Sequence, residues 1–417
     1  MLSAIGLNHK TAPLSVREPL AFAEAELPAA LPALRALEGV RETLLLSTCH
    51  RTEAYLVCDG RVPVEAVAST LGEMRGIAPE AFAPYLTVWR SEEAARHLLR
   101  VAAGLESMVV GEPQVLGQVR RAYAAARDAG TTGLVLNRLM QLAIASGRRV
   151  RSQTALGGHG ASVPHAAVSC CRAHWGTAAG RRAIIIGAGE MAGLLAKAFV
   201  SAGGSVAAIA NRTAGHAAPL AARYGARVIG LAEIRGAMAE VDAVLISVGS
   251  EAPLLSMADL AALVRPLLVI DIGVPRGVDP GAVRLPAVTL YDLDGLAPFT
   301  GQAPAAEDLA AAQAIVDETY EAFIRWLGSR AAVPVIAQLH RRAETIVDEE
   351  LFRARGRLRG LDEHQRLAVR GVVEGALRKL LHAPFVRLRA RGDDTRVLDL
   401  ARELFDLDGT APEDEAS

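Results

Sequence analysis

The chain has 417 residues, 51% of them hydrophobic and 22% charged, which suits several domains with ample core and excludes global disorder. Its net charge of −1 excludes a global basic field for nucleic acid, so such a partner would need a local patch. The four cysteines (Cys49, Cys58, Cys170, Cys171) show no zinc spacing and favour a reducing compartment. No signal-like start or bilayer-length apolar run is apparent, and a soluble cytoplasmic protein is expected.

In chain order, 2–7 reads as a short strand, 8–13 as a polar turn and 23–37 as helical. Strands over 42–48 and 52–58 flank a tight connection, Ser47-Thr48-Cys49-His50-Arg51, with one thiol at its tip. A helix over 63–75 with Pro63 near its first turn and a strand over 85–89 complete the order β-α-β-β-α-β, that of a ferredoxin-like α+β unit. Cys49 has two readings. Free cysteines are commonly small buried hydrophobes. Its polar, partly cationic neighbours, however, would raise the thiolate fraction and suit a nucleophile. Cys58 and the pair Cys170-Cys171 read as structural.

Ser91 opens a helix with an early acidic turn, in which His97 lies among Leu98, Leu99 and Val101. That histidine gains meaning only if its helix faces the thiol loop. In 104–118, glycines bracket polar residues, Glu112-Pro113 leads into a helix ending near Asp128, and Gln114 and Gln118 are one turn apart. These residues line a polar pocket or belong to an ordinary capped loop. A helix over 132–153 is long enough to act as a strut between domains, and its Arg148, Arg149 and Arg151 complement its dipole or meet phosphate.

Residues 154–160 read as a glycine-rich linker and 162–172 as a short helix. The strand 183–186 then runs into Gly187-Ala188-Gly189-Glu190-Met191-Ala192 and a helix, the context in which G-x-G-x-x-A marks a dinucleotide-binding Rossmann-like domain. The next strand, 205–210, ends in Asn211-Arg212-Thr213, where an NAD site would carry an acid. Arg212 and Thr213 suit a 2′-phosphate, so NADP(H) is expected; the alternative is a Rossmann-like domain that binds no nucleotide. Strands over 227–229, 243–247, 267–272 and 288–290 extend a parallel sheet, with loops 247–250 and 271–276 at its carboxyl edge.

Amphipathic helices over 307–328, 335–358, 362–382 and 395–405, the first two interrupted at Val333-Pro334, predict a helical bundle completed by another subunit. Residues 330–396 hold 15 Lys and Arg against 9 acids, a solvated face or a contact for nucleic-acid phosphate. Residues 406–417 read as an acidic disordered tail. The predicted division is 1–153 catalytic with the start of the linking helix, 154–300 NADP-binding, 301–405 dimerising and 406–417 tail.

Taken together, 6–13, Ser47-Thr48-Cys49 with Arg51-Thr52-Glu53, 104–118 and 187–191 make the chain resemble the glutamyl-tRNA reductases over nearly its whole length. The resemblance implies that Cys49 attacks the ester of charged glutamate tRNA to form a thioester. NADPH then reduces the thioester to glutamate-1-semialdehyde, the first step of porphyrin biosynthesis by the five-carbon route. It implies that Thr48, His50, Arg51, Ser107, Glu112, Pro113, Gln114 and Gln118 hold the glutamyl moiety, that His97 assists activity and that 187–192 carry the cofactor. It further implies a V-shaped homodimer with a long helix linking three domains, and a complex with glutamate-1-semialdehyde aminomutase as a family-level expectation. The family usually has asparagine at His50, and the imidazole here predicts retained activity with an altered pH profile. Two rivals stay open: another NADP-dependent oxidoreductase of a small carbonyl compound, and a non-catalytic tRNA-binding homologue.

Overall fold

The computed structural model describes residues 1–60, 63–157, 162–250, 252–301, 303–392 and 394–407. They form two compact units, Met1–Asp317 and Glu318–Ser417. The linker residues 158–160 and the tail from 408 onward lie outside the described residues.

The first unit opens with a four-stranded antiparallel sheet. Strands β1 (Leu2–Asn8), β2 (Val40–Ser47), β3 (Arg51–Cys58) and β4 (Thr87–Arg90) stand in the order β2-β3-β1-β4, the ferredoxin-like arrangement expected. Both central strands are buried nearly throughout, so their sequences are apolar runs rather than clean alternations. Helix α1 (Leu14–Arg17) follows β1, and α2 (Leu27–Arg35) packs on β2. Helix α3 (Val64–Arg75) precedes β4, and α4 (Glu92–Ala102) then crosses β1 and β4 with its apolar face down. Helices α5 (Gln114–Asp128) and α6 (Leu134–Gln153) complete the layer. Helix α6 packs on α4 and α5 through Leu136, Leu139, Met140 and Ala143, so it belongs to this layer and is not the strut the sequence predicts.

The second sheet is parallel, with β5 (Arg182–Ile186), β6 (Ser205–Ala210), β7 (Arg227–Ile229), β8 (Ala243–Ile246), β9 (Leu267–Asp271) and β10 (Val288–Asp292) in the order β10-β9-β8-β5-β6-β7. This is the doubly wound Rossmann-like order, with the loop after β5 at the switch point. Helices α7 (Val163–Trp175) and α8 (Glu190–Ser201) share one apolar cluster with Ile185, Ile209 and Leu245. Ile184, Ile186, Val244 and Ile246 face the opposite cluster. Alternate residues of each strand thus feed two cores, which accounts for the Ile- and Val-rich runs. Short helices α9 (Ala214–Tyr224), α10 (Ile234–Ala237) and α11 (Met257–Ala261) lie in the later crossovers.

The long element is α12 (Ala306–Ala354), 49 residues without the interruption expected at Val333-Pro334. Pro334 lies on an exposed face, while Ala332, Val335, Ile336 and Leu339 are buried against α13 (Glu363–Ala390) and α14 (Thr395–Leu404). Their burial at about 1.5–3 kcal/mol for each large side chain outweighs the loss of about 3 kcal/mol at one proline. The same balance carries α13 past Pro384, eight residues beyond the predicted end at His382, because Leu381, Phe385 and Leu388 recur on its buried face. In this unit some of the cations are paired, Arg370 with Asp348 and Glu374 and Arg353 with Glu349 and Glu350. Among the described residues no helix is long and apolar enough to cross a membrane.

Candidate active site

Thr48, Cys49 and His50 are the whole connection between β2 and β3, because Ser47 still pairs with Thr52. The Thr48 N–H donates to Arg51 O at 2.8 Å and the His50 N–H to Thr48 Oγ1 at 3.1 Å. His50 O accepts from the His9 N–H at 2.9 Å, and Cys49 O accepts from Arg17 Nη1 at 2.7 Å. The backbone on both sides of the sulfur is therefore fixed. Cys49 is half-buried and, with Thr48, lines a cavity of about 610 Å³ whose opposite wall includes Ser247, Gly249, Gly273 and Pro275. The thiol loop thus faces the carboxyl edge of the parallel sheet, the edge at which open α/β sheets bind ligands.

The electrostatics correct the expectation of a resting thiolate. Burial pushes the Cys49 thiol up to about 12, the Glu112 carboxylate adds to this, and Arg17 and Arg51 only partly oppose it. The cations expected around the sulfur are present but do not dominate. His50 is corrected too. It is buried, neither ring nitrogen has a hydrogen-bond partner, and its ring lies edge-on to His9 at 5.6 Å. Burial first, then His9, Arg17 and Arg51, holds its pKa well below 6.5. It is neutral at ordinary pH and cannot supply the titration that would alter the pH profile.

Arg51 and Glu53 point to the same side of β3 and form a fully buried pair, Nη1 to Oε1 at 2.9 Å. Arg51 Nη2 also donates to Glu106 O. Arg51 was expected to meet a substrate carboxylate, but its charge is already matched inside the protein. Glu53 further accepts from Tyr55 Oη at 2.7 Å and contacts a ring nitrogen of His97 at 3.0 Å. Burial opposes ionisation of Glu53, but Arg51, His97 and Tyr55 together hold its carboxyl down at about 2. His97 stacks on Trp89 with ring centres 3.9 Å apart. Its helix does face the thiol strand, and the ring reaches it through Glu53.

The 104–113 loop closes through the Gly111 N–H to Gly104 O bond at 3.0 Å. Gly111, at φ +84°, lies so close to Leu156 that a Cβ would sit 2.3 Å from its carbonyl oxygen, so no larger residue fits. Ser107 and Glu112 are buried within this fold. Burial pushes the Glu112 carboxyl up to about 7, against a bond from the Val163 N–H at the start of α7. Pro113, Gln114 and Gln118 line a cavity of about 490 Å³ with Glu190 and Met191 of the glycine-loop helix. The thiol and the glutamines therefore line different cavities, where one shared pocket was expected. Cys49 and Met191 of the second cavity nevertheless pack against one apolar cluster.

The glycine loop fits a dinucleotide. Gly187 has φ +120°, and a Cβ there would sit 2.6 Å from Ser247 Oγ. The Gly187 N–H donates to Ala210 O at 2.8 Å, which ties the loop to the end of β6. The space around Gly189 is open, so a pyrophosphate could approach the first turn of α8 beside Ala188, Glu190 and Ala192. At the next strand end Asn211 Nδ2 donates to Thr213 O at 2.9 Å, and Arg212 and Thr213 are exposed.

Several residues that the sequence reading passed over build this geometry. Arg17, buried, joins Cys49 O to Asp294, and Asp294 also accepts the Leu14 N–H at 2.8 Å. Glu18 accepts from Arg276 through Nε at 2.9 Å, through Nη2 and through the backbone N–H at 3.1 Å. Arg17 and Glu18 carry no local signal, because their charged partners, Asp294 and Arg276, lie more than 250 residues away. Glu53 did carry one: an acid two residues from Arg51 in a buried strand needs a counter-charge.

Fold and site together define a nicotinamide-nucleotide-binding oxidoreductase architecture, with a thiol-bearing α+β domain set against the sheet edge. Residues 5–154 match the family described as glutamyl-tRNAGlu reductase, N-terminal domain; 170–299 match shikimate/quinate 5-dehydrogenase; and 311–407 match glutamyl-tRNAGlu reductase, dimerisation domain. The chain is 38% identical to glutamyl-tRNA reductase of Roseiflexus castenholzii, over 98% of this chain and 97% of that one. It is 37% identical to that of Geobacillus thermodenitrificans, over 99% and 93%. The solved glutamyl-tRNA reductase of Methanopyrus kandleri is 27% identical over 98% of this chain and 99% of that one, with a TM-score of 0.48. The chain belongs to the glutamyl-tRNA reductase family.

Proposed function

We propose that this protein reduces the glutamyl ester of charged glutamate tRNA to glutamate-1-semialdehyde, through a thioester on Cys49, with NADPH as reductant and as a homodimer. The observation that carries the reading is the shared cavity, in which Cys49 and the sheet-edge loops at Ser247–Gly249 and Gly273–Pro275 form facing walls. An acyl group on that sulfur would lie at the edge where a Rossmann-bound nicotinamide ends.

The sulfur attacks the ester carbonyl, the bond to the terminal ribose oxygen breaks, and that oxygen leaves with a proton. The reduced nicotinamide, when bound, supplies a hydride to the thioester carbon. The carbon–sulfur bond then breaks, the thiol recovers its proton, and the aldehyde is released. Thr48 and Glu112 hold the glutamyl group, and Arg51 and His97, joined through Glu53, keep the loop in position. A substrate ammonium beside Glu112 would cancel the field that helps keep Cys49 protonated, which favours the thiolate once substrate is bound. Residues 187–192 carry the pyrophosphate, and Arg212 with Thr213 suits the 2′-phosphate that separates NADPH from NADH.

The rival readings are not favoured by a family match that runs the length of the chain. The deciding experiment is single-turnover mixing of parent protein and Cys49→Ser with glutamyl-tRNA and NADPH. The parent forms a labelled glutamyl adduct and then aldehyde, and Cys49→Ser forms no aldehyde. Aldehyde formation by the serine variant at the parental rate would sink the thioester route.

A further inference from the structure

The cavity beside Gln114 and Gln118 does not end there. Ser162, His165 and Leu194 line it and also a second cavity of about 340 Å³ between α7 and α8. The two form one trough that starts at the 113–118 turn and runs along α8. The second cavity presents the cationic side chains of Arg172 and Lys197, the imidazole of His165 and three serine hydroxyls, and no carboxylate lines it. Its other walls are Val168, Leu194, Ala198 and Ala202. Among the described residues Arg172 and Lys197 have no ion-pair partner, unlike Arg181, Arg227 and Arg276 of the same domain. Arg121, 3.9 Å from Glu24, extends the positive lining into the first cavity, where Glu190 is the one carboxylate. Free cations, hydroxyl donors and apolar walls are the chemistry that takes phosphodiesters together with the sugars and bases between them.

The trough begins at the reacting end of the molecule. Cys49 and Met191, which lines the first cavity, pack against the same apolar cluster as Val163, the neighbour of Ser162. We propose that the trough carries the single-stranded 3′ end of the RNA substrate, with the terminal nucleoside beside Gln114, Gln118 and Arg121 and the phosphates behind it on Arg172 and Lys197. This rests on the reading that charged tRNA is the substrate. An ester at the end of an RNA strand needs a path for that strand, and this is a cationic one that starts at Met191, which shares an apolar cluster with Cys49. The dinucleotide is the other phosphate source near Glu190 and Met191, and the test separates the two.

The probe is the full-length double variant Arg172→Ala/Lys197→Ala, compared with the parent. Equilibrium binding of uncharged glutamate tRNA, measured against salt, weakens about tenfold, and the slope of log Kd against log salt falls by about two. With charged tRNA the KM rises by a similar factor. Turnover of glutamyl-adenosine, which has the ester and terminal nucleoside but no phosphate, stays within about twofold, as does the KM for NADPH; this also reports that the variant is folded. Unchanged tRNA affinity and salt slope overturn the proposal. A rise in the NADPH KM with tRNA affinity intact also overturns it and gives the trough to the cofactor. If the parent turns over neither ester, the proposed function fails, while the tRNA-binding arm still decides the trough.

Discussion

Arg17 donates to the carbonyl oxygen of Cys49 at 2.7 Å, and its other terminal nitrogen bonds Asp294, beyond the last strand of the parallel sheet. One buried guanidinium thus joins the thiol's own backbone to the domain that faces it. Charge-assisted bonds of this kind are the stronger ones, and two on one planar group fix direction as well as distance.

Asp294→Ala removes one end of that link without touching the thiol loop. Hydride transfer tolerates misplacement poorly, since about 1 Å can cost about a hundredfold. The expected result is glutamyl-adduct formation within about threefold of parent and aldehyde formation at least tenfold slower. Quench-flow trapping of the adduct beside NADPH oxidation reads both. Equal losses in the two steps would show that Arg17 only stabilises the loop.

The Glu18–Arg276 pair makes the second bridge, and Arg276 also meets Asp292 at 3.3 Å. Glu18→Arg or Arg276→Glu places like charges in contact at a half-buried site. Each single change is expected to slow aldehyde formation about tenfold or more, and the exchanged double variant to recover part of it, because a carboxylate at 276 still faces Asp292; a double-mutant cycle measures the coupling. Additive losses would refute a direct pairing role.

Much of this was legible before the structure. The 42–58 hairpin and the 183–192 strand–glycine–helix step are local patterns whose apolar runs and turn residues lie within a few positions of one another. What escaped were balances and long-range pairs. The cations near Cys49 could be read, but the burial that outweighs them could not. Pro334 read as a break because the buried neighbours that carry α12 through it depend on α13 and α14. Arg17 could not be read at all, because its role depends on where Asp294 comes to lie.

The resting thiol makes a chemical prediction. With Cys49 at about 12, iodoacetamide should alkylate it at pH 8 about a hundredfold more slowly than a free cysteine, rising with pH to beyond 10. The fold favours the protonated form, so this group's contribution to stability is complete below 9 and lost as pH rises through 12. Glu112 is the second cause of the shift and acts when ionised, above its own value of about 7. Glu112→Gln should therefore speed alkylation a few-fold at pH 8 and have little effect at pH 6. Mass spectrometry of the Cys49 peptide against time gives both rates.

His50 predicts a null result in pH. Its ring is buried, neutral and without hydrogen-bond partners. His50→Asn should superimpose on the parent in a pH–rate profile from pH 6 to 9. A displaced acidic limb in the parent alone would mean that the ring gains a proton in the working enzyme.

Glu53 gives the test of the buried frame. Its carboxyl lies at about 2 in the folded protein against 4.5 for the free group, so folding favours the ionised form. The stabilisation is fully present above about 4.5 and is lost as pH falls toward and through 2. Removing its charge leaves Arg51 buried without a counter-charge, a change that costs about 3–5 kcal/mol at neutral pH. Glu53→Gln should lower the urea midpoint at pH 7 and flatten the fall of that midpoint between pH 4.5 and 3. A variant as stable as the parent at pH 7, with the same acid dependence, would mean that Arg51 is neutralised elsewhere and that His97 has no route to the thiol strand through Glu53.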